Sequence, residues 1–249
     1  MYLIKSPLLL KWYYPSLLWN KSRTEKVIYL TFDDGPIPNV TDFVLKTLKV
    51  FNAKATFFCI GDNIVKHPEV FERVKNDGHA IGNHTFNHLR GWKTDDETYL
   101  ENTLKCQKLT QSNLFRPPYG RIKKSQIKSL KSLVLSPQSG SQLETENSQL
   151  QIVMWDVLSG DFDINLAPEK CYQNVIKHTE NGSIIVFHDS LKAFDRLSYA
   201  LPKVLAYFTE KGFTFSTLQF KANLMPSIKN TNNYLNNKQL QYNKTKNCS

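Results

Sequence analysis

Apolar residues along this chain alternate between two spacings, one typical of strands and one typical of helices. Residues 27–32 form a short run rich in β-branched and aromatic side chains, which a Gly-Pro pair then ends. Residues 40–51 place their apolar side chains three and four positions apart, as a helix requires. The alternation continues, with strands predicted at 55–60, 79–82, 114–115, 152–155, 183–187 and 213–217 and helices at 68–76, 94–112, 168–179 and 196–211.

This order of elements predicts an α/β fold with a parallel sheet. Strands joined through helices become parallel neighbours, because a parallel crossover needs a connection of about a dozen residues or more. About seven such strand–helix units favour closure of the sheet into a (β/α) barrel, and an open doubly wound sheet is the alternative. A chain of 249 residues fits a single domain of this kind.

The two ends of the chain and one internal stretch depart from the alternation. We predict a catalytic domain over residues 26–219, preceded by an aromatic and basic segment, residues 1–25. Residues 136–149 are rich in Ser, Gln and Glu and are typical of a solvated insertion loop. Residues 220–249 are rich in Asn and Lys and have little to bury, which predicts a disordered tail.

The segment of residues 1–25 is apolar, but it is neither a good signal peptide nor long enough to span a membrane. Pro7, Lys11 and Pro15 interrupt its apolar residues. This segment has two interpretations, and neither of them identifies the cellular compartment. The first is packing against the domain, and the second is a peripheral membrane contact. Both would involve the same aromatic residues, which are Trp12, Tyr13, Tyr14 and Trp19.

The net charge of +10 would suit a nucleic-acid partner, but its distribution argues against one. Residues 1–30 carry a net charge of +4 and residues 221–249 carry +5, which leaves +1 for residues 31–220. A protein that binds nucleic acid more often clusters its basic residues on one face of the folded part. We therefore expect no nucleic-acid partner. The four cysteines match no zinc-ribbon spacing and are expected to be free thiols.

Polar residues that can do chemistry recur just after the predicted strands. In a barrel of parallel strands, the carboxyl ends of all strands open onto one face. We therefore expect the residues at these positions to converge there, although they are far apart in the sequence. In chain order they are Asp33, Asp34, His84, His88, Arg116, Asp156, Asp161 and His188.

Two of these residues, His84 and His88, predict a metal site. Their imidazoles lie four residues apart, and on a helical turn they would share one face and hold a single cation. Asp33 or Asp34 can supply a carboxylate ligand, which gives a set that suits zinc and leaves a position for water. The other aspartate can then act as a general base towards that water. The sequence thus predicts a divalent metal ion, most simply Zn²⁺.

Arg116 and His188 fit supporting roles in such a site. Arg116 precedes the rigid pair Pro117-Pro118 and can hold the carboxylate of the base by bidentate hydrogen bonds. His188 ends a strongly apolar run, and an imidazole pKa near neutrality suits protonation of a leaving amine. A surface arginine and a satisfied core histidine are the structural alternatives.

Five sequence blocks together resemble a known family. They include the motifs TFDDGP, HTFNH, RPPYG and IVFH, and they occupy residues 31–36, 84–88, 116–120, 155–162 and 185–188. Their types and order resemble the polysaccharide deacetylases, the family-4 carbohydrate esterases with a NodB homology domain. The resemblance covers roughly residues 26–219. It implies a distorted (β/α) barrel, often with seven strands, and a bound divalent metal that is usually zinc.

The resemblance also implies roles for individual residues. By motif, Asp34, His84 and His88 resemble the metal ligands, and Asp33 resembles the general base. The implied reaction is attack of a metal-bound water on an acetamide carbonyl, followed by protonation of the departing amine.

Further residues of the motifs are implied to support this reaction. Arg116 resembles the residue that orients the base, and His188 resembles the general acid, tuned by Asp161. The backbone amide of Tyr119 would donate to the oxyanion, and further substrate contacts are expected from Pro118 and Trp155.

The fourth block departs from the family pattern. Leu158 and Phe162 stand where the family often has an aspartate and a tryptophan. This departure leaves Asp156 as an alternative to Asp161 for the acidic partner of the acid histidine.

These observations favour a hydrolase of carbon–nitrogen bonds other than peptide bonds. The expected substrate is an N-acetylated glycan, such as peptidoglycan or a chitooligosaccharide, and the expected assembly is a monomer. One alternative keeps the chemistry but takes a small non-sugar amide. The other is a carbohydrate-binding barrel that has lost turnover.

Overall fold

The computed structural model describes residues 2–132 and 150–219. The predicted insertion loop, residues 136–149, and the predicted tail, residues 220–249, lie outside the described residues. The strands are β1 (Val27–Asp33), β2 (Ala55–Cys59), β3 (Ala80–Asn83), β4 (Leu114–Phe115), β5 (Gln151–Ile152), β6 (Val157–Leu158), β7 (Ile184–His188) and β8 (Thr214–Phe215). The helices are α1 (Leu8–Tyr13), α2 (Val40–Val50), α3 (Gly61–Lys66), α4 (Pro68–Asn76), α5 (Asp96–Thr110), α6 (Lys124–Ser132), α7 (Pro168–His178) and α8 (Phe194–Glu210).

Seven parallel strands form a curled half-barrel in the order β5-β4-β3-β2-β1-β7-β6. Strand β8 adds to the start of β1, where Val27 pairs with Thr214. Neighbouring residues point to opposite faces of the sheet, so both faces are apolar. On one face Phe57 stacks on Phe32 with ring centres 5.0 Å apart, while Phe58 belongs to the apolar cluster of the other face.

The N-terminal segment fills the gap between the two edge strands of this half-barrel. Lys5 pairs antiparallel with Val157 in β6, and Leu18 pairs parallel with Val153, just after β5. The backbone N–H of Met154 donates to the carbonyl of Leu18 at 2.7 Å. We call these contacts of Lys5 and Leu18 between β5 and β6 the N-terminal seam. Trp19 is buried in an apolar cluster that includes Met154, whereas Trp12 is 78% exposed. The segment therefore completes the sheet where its strands do not meet.

A buried carboxylate anchors the same segment. Asp156 is fully buried, and its oxygens accept hydrogen bonds from Ser183 and from three cations, Lys5, Lys11 and Arg23. Burial opposes the charged form, but these donors hold the pKa of the Asp156 carboxyl well below its usual range. Asp156 is thus a structural residue of the seam.

Helices begin where the sequence supplies a start. Pro68 occupies the first turn of α4, where its missing N–H is not needed. The Asp95 carboxylate accepts the N–H of Thr98 at 2.8 Å and caps α5. Helix α5 therefore begins at Asp96, two residues after the start of the helix predicted at 94–112. Within the described residues, no helix is long and apolar enough to cross a membrane.

Candidate metal centre and active site

The carboxyl ends of the central strands bring distant residues together. In the sheet register, Asp33 at the end of β1 lies beside His188 at the end of β7. Asn83 at the end of β3 lies beside Phe115 in β4, so the residues that follow them, His84 and Arg116, are also neighbours. These parallel strands end on one face, as the sequence predicts.

Asp34, His84 and His88 place their ligand atoms within 4.8 Å of one another. His88 Nε2 lies 3.2 Å and His84 Nε2 lies 3.7 Å from the same oxygen, Asp34 Oδ1. That oxygen is buried, and among the described residues no donor reaches it with hydrogen-bond geometry. A buried carboxylate oxygen facing two imidazole nitrogens fits a divalent cation, because this donor set is typical of catalytic zinc.

The protonation of His84 suits metal binding. Its Nδ1 lies 2.8 Å from the carbonyl oxygen of Arg116, so Nδ1 carries the proton and donates. Burial lowers the pKa of His84 to about 4, which keeps the ring neutral at neutral pH. The lone pair of Nε2 is therefore free to face Asp34.

The backbone that presents these ligands is not helical. Residues 84–88 form a loop, and the helical turn that their spacing suggested is absent. Thr85 and His88 adopt left-handed conformations, with φ of 63° and 55°, and Asp34 has a φ of 82°. Non-glycine residues rarely adopt such angles, and they persist where the surrounding structure holds them. The ligands converge through these backbone turns.

Next to the triad, Asp33 is held by Arg116. Both side chains are buried, and Arg116 Nη1 donates to Asp33 Oδ1 at 2.7 Å. The contact is a single hydrogen bond and not the expected bidentate pair. Three further donors of Arg116 are directed to the Thr31 hydroxyl and to the carbonyls of Val153 and Met154. Asp33 Oδ2 lies 4.0 Å from His84 Nε2, so it faces the candidate metal centre.

His188, at the end of the strand next to β1, is held by Asp161. His188 Nδ1 lies 2.7 Å from Asp161 Oδ1, and the backbone N–H of His188 donates to Asp161 Oδ2 at 2.7 Å. Burial opposes the imidazolium, but the Asp161 carboxylate outweighs it and raises the pKa of His188 to about 10. Asp156 lies in the N-terminal seam, so of the two aspartates it is Asp161 that contacts this histidine.

The residues expected to contact substrate, Tyr119, Pro118 and Trp155, differ in how far they are exposed. Tyr119 is 52% exposed, and its ring centre lies 4.6 Å from that of His88. Trp155 is half-buried against Gly120, where an added Cβ would lie 2.5 Å from the indole ring. Pro118 is buried. Tyr119 therefore offers the most surface to a substrate, and the contacts themselves stay predictions.

Comparisons with known proteins agree with this geometry. A sequence model of the family described as polysaccharide deacetylase matches residues 20–137. A peptidoglycan-N-acetylglucosamine deacetylase of Bacillus cereus is 32% identical over 206 residues, which cover 80% of this chain and 90% of the relative. A chitooligosaccharide deacetylase of Azorhizobium caulinodans is 32% identical over 177 residues, covering 68% and 76% respectively. This chain belongs to the polysaccharide deacetylase family.

A solved structure supports the same assignment. The crystal structure of the Bc1960 peptidoglycan N-acetylglucosamine deacetylase, in complex with 4-naphthalen-1-yl-N-oxidanyl-benzamide, matches with a TM-score of 0.72 and 28% identity. The match covers 86% of this chain and 95% of that chain. The predicted distorted (β/α) barrel is thereby confirmed over the open doubly wound sheet. As a polysaccharide deacetylase, the chain is a hydrolase of carbon–nitrogen bonds other than peptide bonds.

One residue of this polysaccharide deacetylase site was missed from the sequence. Asp189 is fully buried, its N–H donates to the carbonyl of Asp33, and its carboxyl oxygens accept the N–H of Gly35 and the hydroxyl of Thr41. Burial raises the pKa of Asp189 to about 8. Asp189 thus supports the end of β1 and the residues that follow it, where Asp33 and Asp34 lie. Its position directly after a strand was the signal that pointed to it.

Proposed function

We propose that the chain is a metal-dependent deacetylase that hydrolyses the N-acetyl amide of N-acetylhexosamine units in a glycan, with zinc as the metal. The observation that carries this proposal is the triad of Asp34, His84 and His88 around one buried carboxylate oxygen, for which the described part of the chain supplies no hydrogen-bond donor. The proposed general base, Asp33, and the proposed general acid, His188, end the neighbouring strands β1 and β7. The named substrates of the relatives, peptidoglycan and chitooligosaccharide, support the glycan.

The proposed reaction adds water to the acetyl carbonyl and breaks the carbon–nitrogen bond, releasing acetate and a free amine. A divalent cation held by Asp34, His84 and His88 would supply Lewis-acid chemistry that makes water more acidic and a carbonyl more electrophilic. Asp33 would accept a proton from the water, since its Oδ2 faces the triad. Arg116 fixes the position of the Asp33 carboxylate by the hydrogen bond from its Nη1.

The second proton transfer is assigned to His188. Because Asp161 binds Nδ1, the Nε2–H of the imidazolium is the proton available to the leaving nitrogen. The backbone amide of Tyr119 is proposed as a donor to the developing oxyanion. Tyr119, Trp155 and Pro118 are proposed to line the sugar site.

Acetate release from an N-acetylglucosamine oligomer tests this function. We expect release by the zinc-loaded protein, loss of release with a chelator, and recovery when zinc is added back. If acetate were released from a small non-sugar amide but from no acetylated saccharide, the substrate would be such an amide and not a glycan. Binding of the oligomer without any release would instead support a carbohydrate-binding barrel.

Asp161→Asn is expected to move the basic limb of the pH–kcat profile to lower pH. The Asp161 carboxylate helps to raise the pKa of His188 to about 10, so the protonated acid persists well above neutrality. Without that negative charge, the pKa falls towards the ordinary value of 6.5, by about one unit or more. The acid form is then lost at a lower pH. The profile is measured with a soluble oligomer. A basic limb at the same pH in Asp161→Asn and the unmodified protein would contradict the proposal that Asp161 raises the pKa of a general acid, His188.

A further inference from the structure

Helix α1 has the opposite arrangement to an ordinary surface helix. Its single charged side chain, Lys11, turns inward and donates to Asp156 at 2.6 Å. Its apolar side chains turn outward, with Leu8 81%, Leu9 78% and Trp12 78% exposed. Surface helices normally bury their apolar face against the core. An exposed cluster of this kind marks an interaction surface.

The exposed apolar side chains of α1 are held in place on the folded domain, because the chain is paired with the sheet before and after this helix. Before the helix, Lys5 pairs with β6, and after it, Leu18 pairs beside β5. Trp19, a few residues further on, is only 6% exposed. Residues 7–16 are therefore an anchored projection between two points of sheet pairing, and α1 forms its outer part.

A row of lysines on α6 lies next to this projection. Lys124, Lys128 and Lys131 are spaced by four and three residues, which places them on one face of α6. Both ends of the row contact the projection: Lys124 Nζ lies 4.2 Å from the ring centre of Tyr13, and Lys131 Nζ donates to the carbonyl of Ser16 at 2.7 Å. Neither α1 nor α6 contains an acidic residue.

We propose that α1 and the lysine row of α6 form a docking surface for an anionic lipid bilayer. Leu8, Leu9 and Trp12 would enter the boundary between headgroups and acyl chains, while the lysines face lipid phosphates. Trp and Tyr favour this interface, and basic residues around an apolar surface complement anionic headgroups. Pairing of two copies through this surface would bring two lysine rows together, and that like-charge repulsion disfavours self-association.

Co-sedimentation of the full chain with lipid vesicles tests the proposal. We expect binding to phosphatidylglycerol vesicles, weaker binding at high salt, and little binding to phosphatidylcholine vesicles. The double variant Leu9→Ser, Trp12→Ser is expected to weaken partitioning by about tenfold or more. Lys128→Gln is expected to weaken it by about fivefold. The matched control is Val50→Ser on α2, which changes another apolar side chain that is 79% exposed and should leave binding unchanged.

Two outcomes would overturn the lipid surface. One is equal binding of the double variant and the unmodified chain, or no binding of either to phosphatidylglycerol. The other is a dimer in sedimentation velocity without lipid that the double variant abolishes, which would assign the surface to a second copy. Acetate release from soluble oligomer should be the same for the double variant and the unmodified chain. This assay monitors folding and keeps the lipid proposal separate from the proposed reaction.

Discussion

Asp33→Asn is expected to lower kcat for acetate release by about 10²- to 10⁴-fold, the usual contribution of a general base. Asparagine has nearly the same shape as aspartate, and its amide oxygen can still accept the hydrogen bond that Arg116 Nη1 makes at 2.7 Å. It cannot take up a proton from water at neutral pH. The metal content, measured by elemental analysis, should therefore stay unchanged while turnover is lost.

A matched control for this substitution is Asp62→Asn in α3. The Asp62 side chain is 38% exposed and pairs with Lys66, so the same chemical change there should leave kcat within about twofold. If Asp33→Asn kept more than about a tenth of kcat, Asp33 would not be the base. If the variant lost its metal, Asp33 would instead belong to the ligand set.

His84→Ala is expected to weaken metal binding by more than about 100-fold. Loss of a residue that only hydrogen-bonds to a metal ligand already lowers metal affinity by about 10- to 100-fold, and His84 is proposed as a ligand itself. Asp34 and His88 alone would leave the cation too few protein ligands for stable binding. Acetate release should fall to background at zinc concentrations that saturate the unmodified protein. Titration with zinc, followed by elemental analysis after dialysis, measures the change.

Folding must be monitored in the same experiment, because His84 is buried and binds the carbonyl of Arg116. Loss of that hydrogen bond is expected to lower the free energy of unfolding by about 1–3 kcal/mol. His67→Ala, between α3 and α4, is the control for removal of an imidazole away from the site. Full zinc occupancy in a folded His84→Ala protein would refute the ligand assignment.

The order of strands and helices was predictable because long periodic segments carry a strong signal. The predicted bounds of β1 and α4 agree with the structure to within one residue. The strand predicted at 152–155 was wrong in its extent, since the chain forms β5, then pairs with Leu18, then forms β6. That division depends on a segment more than a hundred residues away, which local periodicity does not report.

Three helices were missed for related reasons. Helix α3 begins at Gly61, which the sequence pattern treats as a break. The glycine is needed there because a Cβ would lie 2.5 Å from the Phe86 ring, a contact made by a distant loop. Helix α1 is short and is held between two points of sheet pairing, and α6 borders the segment of residues 133–149.

The membership of the candidate site could be predicted from residue types at strand ends, but its geometry could not. The left-handed backbone at Asp34, Thr85 and His88 is imposed by the surrounding structure, because none of these residues prefers it strongly enough to predict it. Arg116 uses only one donor on Asp33, since the carbonyls of the seam take two of the others. The catalytic roles of these residues stay predictions until the variants are measured.

The seam between β5 and β6 limits how far the protein can be shortened. A version beginning at residue 26, the boundary that the sequence pattern favours, would strip the fully buried Asp156 of all three cationic partners. An uncompensated buried charge destabilises a fold by several kcal/mol, and two uncovered strand edges invite aggregation. Expression of the catalytic unit therefore requires the residues from Lys5 onward, even though none of the proposed catalytic side chains lies before Asp33.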